Sequence, residues 1–226
     1  MGLVVSELRK SFGGSDRGEL RVLMGVSFEI SAGEMVAVTG ASGAGKSTLL
    51  HLLGGLEAAD NGTILLDGFD VTGAGASAMT RYRARKLGFV FQFHHLLPDL
   101  SAAENVAMPL RILRQTLGSS LSLASEALDE VGMGSKVDQP VGTLSGGEQQ
   151  RVAIVRAIVA KPRLVLADEP TGNLDASTGE EIEKILLRYC RQNSASVVIA
   201  THNTKLASIC DRRFLLEEGI LQQFDV

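Results

Sequence analysis

Short runs of apolar residues recur along the chain, and most of them end in glycine or in a polar residue. They lie at Met35–Val38, Leu87–Gln92, Leu164–Asp168 and Ser196–His202. Unbroken apolar runs are typical of strands that are buried on both faces, as in a parallel sheet covered by helices. Helical patterns follow several of these runs. The pattern therefore predicts an α/β fold built on a doubly wound sheet.

The first 35 residues show a different, alternating pattern. Between Leu20 and Ile30, apolar side chains occupy every second position, namely Val22, Met24, Val26, Phe28 and Ile30. Alternation with a period of two residues is typical of a half-buried strand. We expect a β-rich N-terminal part, with an exposed loop over residues 13–19 before the alternating segment.

A helical region interrupts the α/β pattern between residues 93 and 143. Ser101 and Glu104 form a capping-box pattern at the start of one predicted helix. A second helical pattern runs from Ser122 to Val131 and ends at Gly132. We interpret this region as a helical insertion into the α/β fold.

Composition narrows the class of protein. The 226 residues include 45% hydrophobic and 21% charged residues, which is ordinary for a soluble globular protein. A formal net charge of −4 does not support nucleic-acid binding, which normally shows a basic excess. The first residues lack the pattern of a signal peptide, and no apolar run approaches the ~20 residues needed to span a bilayer. We expect Cys190 and Cys210 to be unpaired and packed as small apolar residues.

The most informative motif joins the first apolar run to a helical pattern. Its spacing, Gly-x-x-x-x-Gly-Lys-Ser, is that of the phosphate loop of nucleotide-binding proteins. Glycines let successive backbone N–H groups surround a phosphate chain, and the following helix N-terminus favours an anion. We expect Lys46 to contact the β- and γ-phosphates of ATP, and the Ser47 hydroxyl to bind Mg²⁺. The phosphate loop consists of Gly40, Ala41, Ser42, Gly43, Ala44, Gly45, Lys46, Ser47 and Thr48.

A phosphate loop alone lacks groups that complete the Mg²⁺ shell and position an attacking water. Polar side chains at the ends of the other apolar runs could supply them. Asp168 and Glu169 end one run, and ligand sites of doubly wound sheets lie at such strand ends. Asp168 is a candidate member of the Mg²⁺ coordination shell. Glu169 is a candidate general base, or a group that orients the attacking water. Gln92 carries a carboxamide that can reach Mg²⁺ or the attacking water, although a solvated strand end is the alternative. His202 can contact the γ-phosphate and help to fix the attacking water.

Leu144–Arg151, here called the signature segment, precedes another helical pattern. Ser145 and the two glycines after it therefore lie at a predicted helix N-terminus, which attracts anions as the phosphate loop does. An N-cap with flexible glycines is the simpler interpretation. The alternative is that the signature segment completes the site of a partner molecule. Asn173–Asp175 is a candidate contact between subunits.

Two apolar features have open roles. Phe12 could be a core residue, or its ring could stack on the adenine of a nucleotide, since an aromatic face can cover a nucleobase. The segment Phe93–Pro98, here called the docking segment, contains apolar residues just beyond Gln92. Leu96 and Leu97 could pack inside the helical region, or they could dock a helix of a partner protein.

These motifs occur in the order found in ATP-binding cassette (ABC) ATPases, which the chain resembles from end to end. The Leu-Ser-Gly-Gly run of the signature segment is the most diagnostic part. The resemblance implies a P-loop NTPase fold with a RecA-like core, an antiparallel β-subdomain and an inserted α-helical subdomain. Residues 1–226 would form one ATP-binding domain, with residues 1–92 and 144–226 as the core and β-subdomain and residues 93–143 as the helical subdomain. It also implies a head-to-tail homodimer that holds two ATP molecules.

The resemblance assigns roles by position to residues already singled out. Phe12 matches the adenine-stacking aromatic residue, and Gln92 matches the Q-loop glutamine. Glu169 matches the catalytic base, and His202 matches the switch histidine. Asn203 stands where relatives commonly carry Asp, which puts no catalytic role in doubt. The residues that match those facing the ATP of the other subunit are Ser145, Gly146 and Gly147.

A narrower resemblance rests on four longer segments, Leu50–Leu56, Leu87–Asp99, Glu104–Leu110 and Ala167–Asp175. They resemble the ATPase subunits of bacterial lipoprotein-releasing systems, with MacB-type efflux ATPases and FtsE-type cell-division ATPases as alternatives. This resemblance implies a peripheral, ATP- and Mg²⁺-dependent motor at the cytoplasmic face of the inner membrane, attached to LolC/LolE-like permease subunits. Soluble ABC proteins usually carry two cassettes or a long coiled-coil insertion, neither of which is present in this sequence. A regulator that binds ATP without hydrolysing it is disfavoured, because Glu169 and His202 are both present.

Overall fold

The computed structural model describes residues 2–13 and 18–224, so most of the loop predicted over residues 13–19 lies outside the described residues. That part of the chain contains ten strands and seven α-helices. The strands are β1 (Gly2–Phe12), β2 (Leu20–Ser31), β3 (Met35–Thr39), β4 (Asn61–Leu66), β5 (Phe69–Asp70), β6 (Leu87–Val90), β7 (Leu164–Asp168), β8 (Ser196–Ala200), β9 (Arg212–Glu217) and β10 (Ile220–Phe224). The helices are α1 (Lys46–Leu53), α2 (Ala76–Lys86), α3 (Ala102–Ile112), α4 (Leu117–Asp129), α5 (Gly146–Ile158), α6 (Ala176–Asn193) and α7 (Thr204–Ser208).

The larger sheet has the strand order β10-β9-β3-β8-β7-β6. Neighbouring strands from β9 to β6 run parallel, and β10 pairs antiparallel with β9. All of β8 and nearly all of β3 and β7 are buried, as is typical of strands covered on both faces. The parallel sheet predicted from the apolar runs is confirmed. Its topology puts the carboxyl ends of β3, β8 and β7 side by side at one edge.

The smaller sheet is antiparallel and has the order β2-β1-β4-β5. The predicted alternation holds from Val26 to Ile30, where every second side chain is buried. It is wrong for Met24, which is 40% exposed, while Leu23 is buried instead. Gly25 has φ 99° and lies where the pairing with β1 shifts its register. One extra residue in a strand reverses the face of every residue before it.

Helix α1 packs in an apolar cluster that contains residues of both sheets. Leu49, Leu50, Leu52 and Leu53 are each at most 1% exposed. Burying a leucine side chain stabilises a fold by ~1.5–3 kcal/mol, so this helix is firmly anchored. The phosphate loop leads directly into α1 and is therefore mounted on the most buried part of the core.

Helices α3 and α4 pack on each other and on α5. Ser101 and Glu104 form the predicted capping box at the start of α3. The apolar cluster of this region includes Val152 and Val155 of α5. Ile154, on another face of α5, belongs to the cluster formed with β7, β8 and α6. Helix α5 therefore connects the helical region to the larger sheet.

Two expectations from composition concern the cysteines and membrane-spanning segments. Cys190 is buried and Cys210 is half-buried, and both are unpaired as expected. Burial raises the pKa of the Cys190 thiol to about 11 and that of Cys210 to about 12, which is typical of packed, unreactive cysteines. None of the helices in the described ranges has the length and apolar character that crossing a bilayer requires.

Candidate active site

The phosphate loop connects β3 to α1 and needs glycine at both of its ends. Gly40 has φ 147°, and a Cβ atom there would lie 2.3 Å from the carbonyl oxygen of Leu216. Gly45 has φ 101°, and a Cβ atom there would lie 2.7 Å from Cγ1 of Val22. Both contacts are shorter than real Cβ contacts, and both φ values favour glycine. The loop therefore depends on the glycines that define its motif.

Lys46 lies inside the phosphate loop. Its Nζ donates hydrogen bonds to the carbonyl oxygens of Gly40 at 2.8 Å and Ala41 at 3.0 Å. Helix α1 begins without a side-chain cap and without an acidic residue in its first turn. Its first N–H groups and the lysine ammonium are thus available to an anion that lies against the loop.

The phosphate loop forms one wall of a cleft of about 700 Å³, here called the active-site cleft. Most of the predicted nucleotide-binding and catalytic side chains meet there, although they come from distant parts of the sequence. The lining residues are Phe12, Leu20, Val22, Gly40, Ala41, Ser42, Gly43, Gly45, Lys46, Ser47, Thr48, Gln92, Asp168, Glu169 and His202. The site is therefore large enough for a nucleotide and carries positive, negative and hydroxyl groups together.

Glu169 is held in place by groups that follow β8. Its Oε2 accepts a hydrogen bond from Thr201 Oγ1 at 3.0 Å, and its Oε1 accepts one from the His202 backbone N–H at 3.0 Å. Nδ1 of His202 lies 2.7 Å from the same Oε1. The Glu169 side chain is 11% exposed, whereas that of His202 is 72% exposed. The carboxylate is therefore fixed, while most of the histidine ring remains open to the cleft.

The backbone conformation of Glu169 explains why the carboxylates of two successive residues, Asp168 and Glu169, both line the cleft. Asp168 is the last residue of β7 and pairs with Ala200 of β8. Glu169 has φ 44°, in the left-handed region that non-glycine residues rarely adopt, and its N–H donates to the carbonyl of Ala200 at 2.8 Å. Such a conformation costs ~1–3 kcal/mol and is common at functional sites. The left-handed residue ends the strand alternation, so both side chains line the cleft.

Gln92 lies in the cleft but not at a strand end. We expected the strand to extend to this residue, and that expectation is wrong, because β6 ends at Val90. Gln92 is exposed and occupies an irregular segment that continues into the docking segment. A residue in such a segment can move more easily than one in a strand ladder.

Phe12 lies at the rim of the cleft and is 40% exposed, so it is not a core residue. Lys10 Nζ lies 4.9 Å from the centroid of its ring. Lys10 is itself held by Glu57, whose carboxylate accepts a hydrogen bond at 2.8 Å. That hydrogen bond is the largest reason why the pKa of Lys10 is raised. Lys10 thus orients the ring of Phe12 beside the phosphate loop.

The signature segment lies outside the cleft. Ser145 is exposed and caps α5 in a capping box with Glu148. A Cβ atom on Gly147 would lie 2.6 Å from Cγ2 of Thr178, so α6 approaches the signature segment closely. Asp175 caps α6 and accepts hydrogen bonds from its first turn, which hold the pKa of this carboxyl well below its usual range. The signature segment and the loop at Asn173–Asp175 therefore form one surface in a single chain.

Gln150 is a buried polar residue that our reading of the sequence missed. It is 2% exposed, and its Nε2 donates to the carbonyl oxygen of Pro170 at 2.8 Å. Pro170 directly follows Glu169, so the amide connects α5 to the backbone beside the carboxylate. The available signal was a glutamine on the otherwise apolar face of α5, where Ile154 is also buried.

Arg156 was missed as well. Its guanidinium donates to the carbonyl oxygens of His94 and His95 at 2.7 Å each. His95 has φ 48°, so this part of the docking segment needs an external partner to hold its backbone. Burial lowers the pKa of Arg156. No local sequence pattern indicates this contact, since its partners lie more than 60 residues away.

Asn203 caps α7. Its Oδ1 accepts hydrogen bonds from the N–H groups of Lys205 at 2.9 Å and Leu206 at 3.2 Å. An aspartate would accept the same bonds, so asparagine keeps the helix cap beside His202.

A comparison with known families defines the class of protein to which the cleft belongs. The family model described as ABC transporter matches residues 23–172, a range that contains the phosphate loop, the signature segment, Asp168 and Glu169. The chain belongs to the ABC transporter family, and it is an ATPase of the ABC type.

Curated relatives narrow the comparison. The chain is 47% identical over 217 residues to the lipoprotein-releasing system ATP-binding protein LolD of Geobacter metallireducens, covering 96% of each chain. It is 48% identical to LolD of Nitratidesulfovibrio vulgaris, covering 90% of this chain and 87% of that one. The resemblance to lipoprotein-releasing ATPases seen in the sequence is thus confirmed.

Among solved structures, the chain is similar to the ATP-binding cassette MJ0796 in a dimeric, post-hydrolysis state bound to ADP and Pi. The TM-score is 0.90, with 31% sequence identity and coverage of 99% of both chains. The predicted P-loop NTPase fold of the ABC type is confirmed.

Proposed function

We propose that this chain is the ATP-hydrolysing motor of a bacterial inner-membrane ABC complex that releases lipoproteins toward the outer membrane. The observation that carries the catalytic part is the Glu169 carboxylate, held by Thr201 and His202 in the cleft that contains the phosphate loop. The likeness to a LolD protein over 96% of both chains supports the transport part. The chain would work peripherally at the cytoplasmic face of the membrane.

ATP binds along the phosphate loop in this proposal. The bare N-terminus of α1 and Lys46 receive the phosphates, and Lys46 exchanges its carbonyl partners in the loop for phosphate oxygens. Phe12 stacks on the adenine. Its exposure at the cleft rim and the nearby ammonium of Lys10 support that role.

Magnesium fits the oxygen donors of the same cleft. Ser47, Gln92 and Asp168 offer a hydroxyl, a carboxamide and a carboxylate, which are the hard ligands that Mg²⁺ prefers. Among the described residues no three His, Cys, Asp or Glu side chains gather into a metal cage. That composition suits Mg²⁺, which usually takes one or two carboxylates plus substrate phosphates and water. When bound, the ion supplies positive charge that offsets the charge of the phosphates.

Hydrolysis depends on Glu169 as general base or orienting group for the attacking water. The bonds from Thr201 and His202 hold its carboxylate before substrate arrives, so little reorganisation is needed. His202 contacts the γ-phosphate with its exposed ring. Gln92 reaches the same region from the irregular segment that follows β6, not from a strand. Lys46 stabilises the charge on the transferred phosphoryl group.

The catalytic unit is a homodimer in this proposal. Ser145, Gly146 and Gly147 do not line their own cleft, and Ser145 and Gly146 are exposed at a helix N-terminus, which a partner's ATP can meet. The dimeric structure of MJ0796 with ADP and Pi supports a homodimer.

Mixing variants tests the shared site. Lys46→Ala and Ser145→Arg chains should each be inactive alone, and their mixture should regain activity, because a heterodimer keeps one intact site. Absence of recovery, despite heterodimers detected by differently tagged chains, would contradict the shared site unless both sites must fire together.

We also propose a division of the chain into a core with a β-subdomain (residues 1–92 and 144–226) and a helical subdomain (residues 93–143). The separate apolar cluster formed by α3, α4 and part of α5 supports this division. The docking segment lies at the junction and connects the cleft, through Gln92, to the helical region.

The membrane subunits, which we propose to be LolC/LolE-like, dock beside this junction. A groove of about 510 Å³ lies there, with Phe91, His95 and Met108 among its lining residues. Phe93 is 68% exposed and Leu97 is 45% exposed, whereas Leu96 packs against the helical cluster. An exposed apolar segment beside a groove suits a short cytoplasmic helix of a permease.

Leu97→Asp tests docking. The variant should fold and bind ATP but fail to co-purify with the membrane subunits from detergent extracts, as judged by mass spectrometry. Leu128→Asp is the matched comparison, because Leu128 is 0% exposed in the helical cluster and its replacement should unfold the protein. A Leu97→Asp chain that assembles normally would contradict docking at this residue.

Transport itself is tested by reconstitution. The chain and its co-purified membrane subunits, in liposomes that carry an acylated lipoprotein, should release that lipoprotein to an acceptor only with ATP. Glu169→Gln should abolish release. ATP-dependent turnover without any lipoprotein release would contradict the proposed cargo while leaving the ATPase activity intact.

A further inference from the structure

The exposed N-terminus of α5 carries a negative charge of its own. Glu148 lies in the first turn, where its Oε2 accepts a hydrogen bond from the Ser145 N–H at 2.9 Å. The Glu148 N–H donates in return to Ser145 Oγ at 3.4 Å. This carboxylate therefore lies within one helical turn of the residues that face a partner's ATP in the proposed function. An acid in the first turn favours the helix but repels a second anion at the same place.

Lys136 lies against that carboxylate. It ends the short 3₁₀ turn Gly134–Lys136 that follows α4, and its Nζ contacts Glu148 Oε1. The two side chains are 36% and 17% exposed, so the pair is partly shielded from water. The hydrogen bond from Lys136, followed by that from the Ser145 N–H, lowers the pKa of Glu148 to about 2. Glu148 is thus a charged carboxylate with its own cation.

Ser145 remains able to donate outward. Its Oγ accepts a bond from Glu148, and within the described ranges its hydroxyl donates to no protein group. The residue is exposed, as is Gly146 after it. The helix end therefore presents a hydroxyl proton and backbone N–H groups, all of which favour an anion, beside one carboxylate that opposes it.

We propose that Lys136 is a positioning residue for ATP at the shared site, because it holds the Glu148 carboxylate in place at the end of α5. The inference rests on the proposed shared site between two chains. With Lys136 in place, the helix end offers the partner's phosphates donors and no net negative charge. Without it, the carboxylate is free and its charge opposes the phosphates.

A double-mutant cycle tests this role. In a Glu169→Gln background, which slows hydrolysis, we would measure the ATP concentration that gives half-maximal dimer by size exclusion with light scattering. Lys136→Met should raise that concentration about fivefold or more when Glu148 is present, and by less than about twofold with Glu148→Gln. Glutamine keeps the capping box, so the helix cap is preserved. Lys184→Met, an exposed lysine on α6, makes the same charge change as a control and should have no effect.

The outcomes are distinct. Equal effects of Lys136→Met with glutamate and with glutamine at position 148 would overturn the inference, since a lysine that acts only through its own charge or only on the fold would behave so. An ATP-dependent dimer that forms equally well with and without Lys136 would also overturn it, while leaving the shared site intact. A chain with native Lys136 and Glu148 that stays monomeric with ATP would overturn the shared site and this inference together.

Discussion

The N-termini of α1 and α5 both follow glycine-rich segments, but they are completed in opposite ways. Helix α1 follows Gly45, a left-handed N-cap residue that provides no side-chain cap, and no acidic residue lies in its first turn. Helix α5 follows Ser145, an N-cap residue that forms a capping box with Glu148. The first helix end opens into the active-site cleft beside Lys46, and the second is exposed outside it.

The difference shows what each helix end requires from a ligand. Within the described residues the first turn of α1 has no side-chain cap, so phosphate bound to the same chain would complete this helix end. Helix α5 already has a side-chain cap without a ligand, so the strength of anion binding at its remaining N–H groups depends on the charges nearby. A self-capped end can fold before a partner arrives, which suits a surface that meets another chain.

The largest expected effect concerns the chemistry beside α1. Glu169→Gln should lower ATP turnover by ~10²–10⁴-fold, because it removes a general base, while ATP binding through Lys46 persists. Phosphate release and equilibrium nucleotide binding would measure the two effects separately. Glu130→Gln, an exposed residue outside the cleft, is the control. Near-normal turnover in Glu169→Gln would remove Glu169 from the catalytic site.

A smaller effect on ATP turnover is expected from Gln150, which connects α5 to the backbone next to Glu169. Gln150→Met deletes the bond to Pro170, so the backbone beside Glu169 loses a partner. We expect kcat to fall on the order of tenfold with KM for ATP unchanged, since misplacement of a catalytic group affects the chemical step. Gln149→Met is the matched control, because the Gln149 amide donates to the carbonyl oxygen of Leu144 and not to the backbone beside Glu169. Equal kcat in both variants would show that the contact does not position Glu169.

The two helix ends should also respond oppositely to alanine. Gly45→Ala should destabilise the fold by ~1–3 kcal/mol, because φ is 101° and a Cβ atom would lie 2.7 Å from Val22 Cγ1. Gly146→Ala meets no atom within 4 Å, and stability should stay the same or rise by up to ~1 kcal/mol. Urea unfolding of both variants measures the difference. Destabilisation by Gly146→Ala would indicate that the end of α5 is more constrained than its contacts imply.

The smallest effect is a pH dependence specific to α5. The pKa of Glu148 falls from its ordinary value of 4.5 to about 2 in the folded chain. Its contribution to stability is therefore complete above about pH 5 and is lost as pH falls toward 2. The difference in thermal stability between the native chain and Glu148→Gln should shrink as pH falls from 6 toward 3. Lys136→Met should remove most of this dependence, whereas a difference that is independent of pH would contradict the assigned pKa.

Much of the fold follows from local patterns. The glycines of the phosphate loop satisfy backbone requirements that are set within a few residues. Unbroken apolar runs predict the buried strands. The capping box at Ser101 and Glu104 is equally local. The predictions that failed concern boundaries and register, namely the end of β6 before Gln92 and the exposure of Met24 after the bulge at Gly25. Gly25 was the available signal for the bulge, because an isolated glycine within a strand pattern often marks one.

The sequence alone determined which side chains are candidates for the chemistry, because residue type and spacing define the phosphate loop, the signature segment and the polar strand ends. Only the tertiary structure decided their partners. Thr201 reaches Glu169 across 32 residues because β7 pairs with β8, and Gln150 reaches Pro170 across 20 residues because α5 packs on the larger sheet. Lys136 meets Glu148 because the turn after α4 folds back onto α5. Strand order and helix packing set such contacts, and they depend on the whole core rather than on any local run of residues.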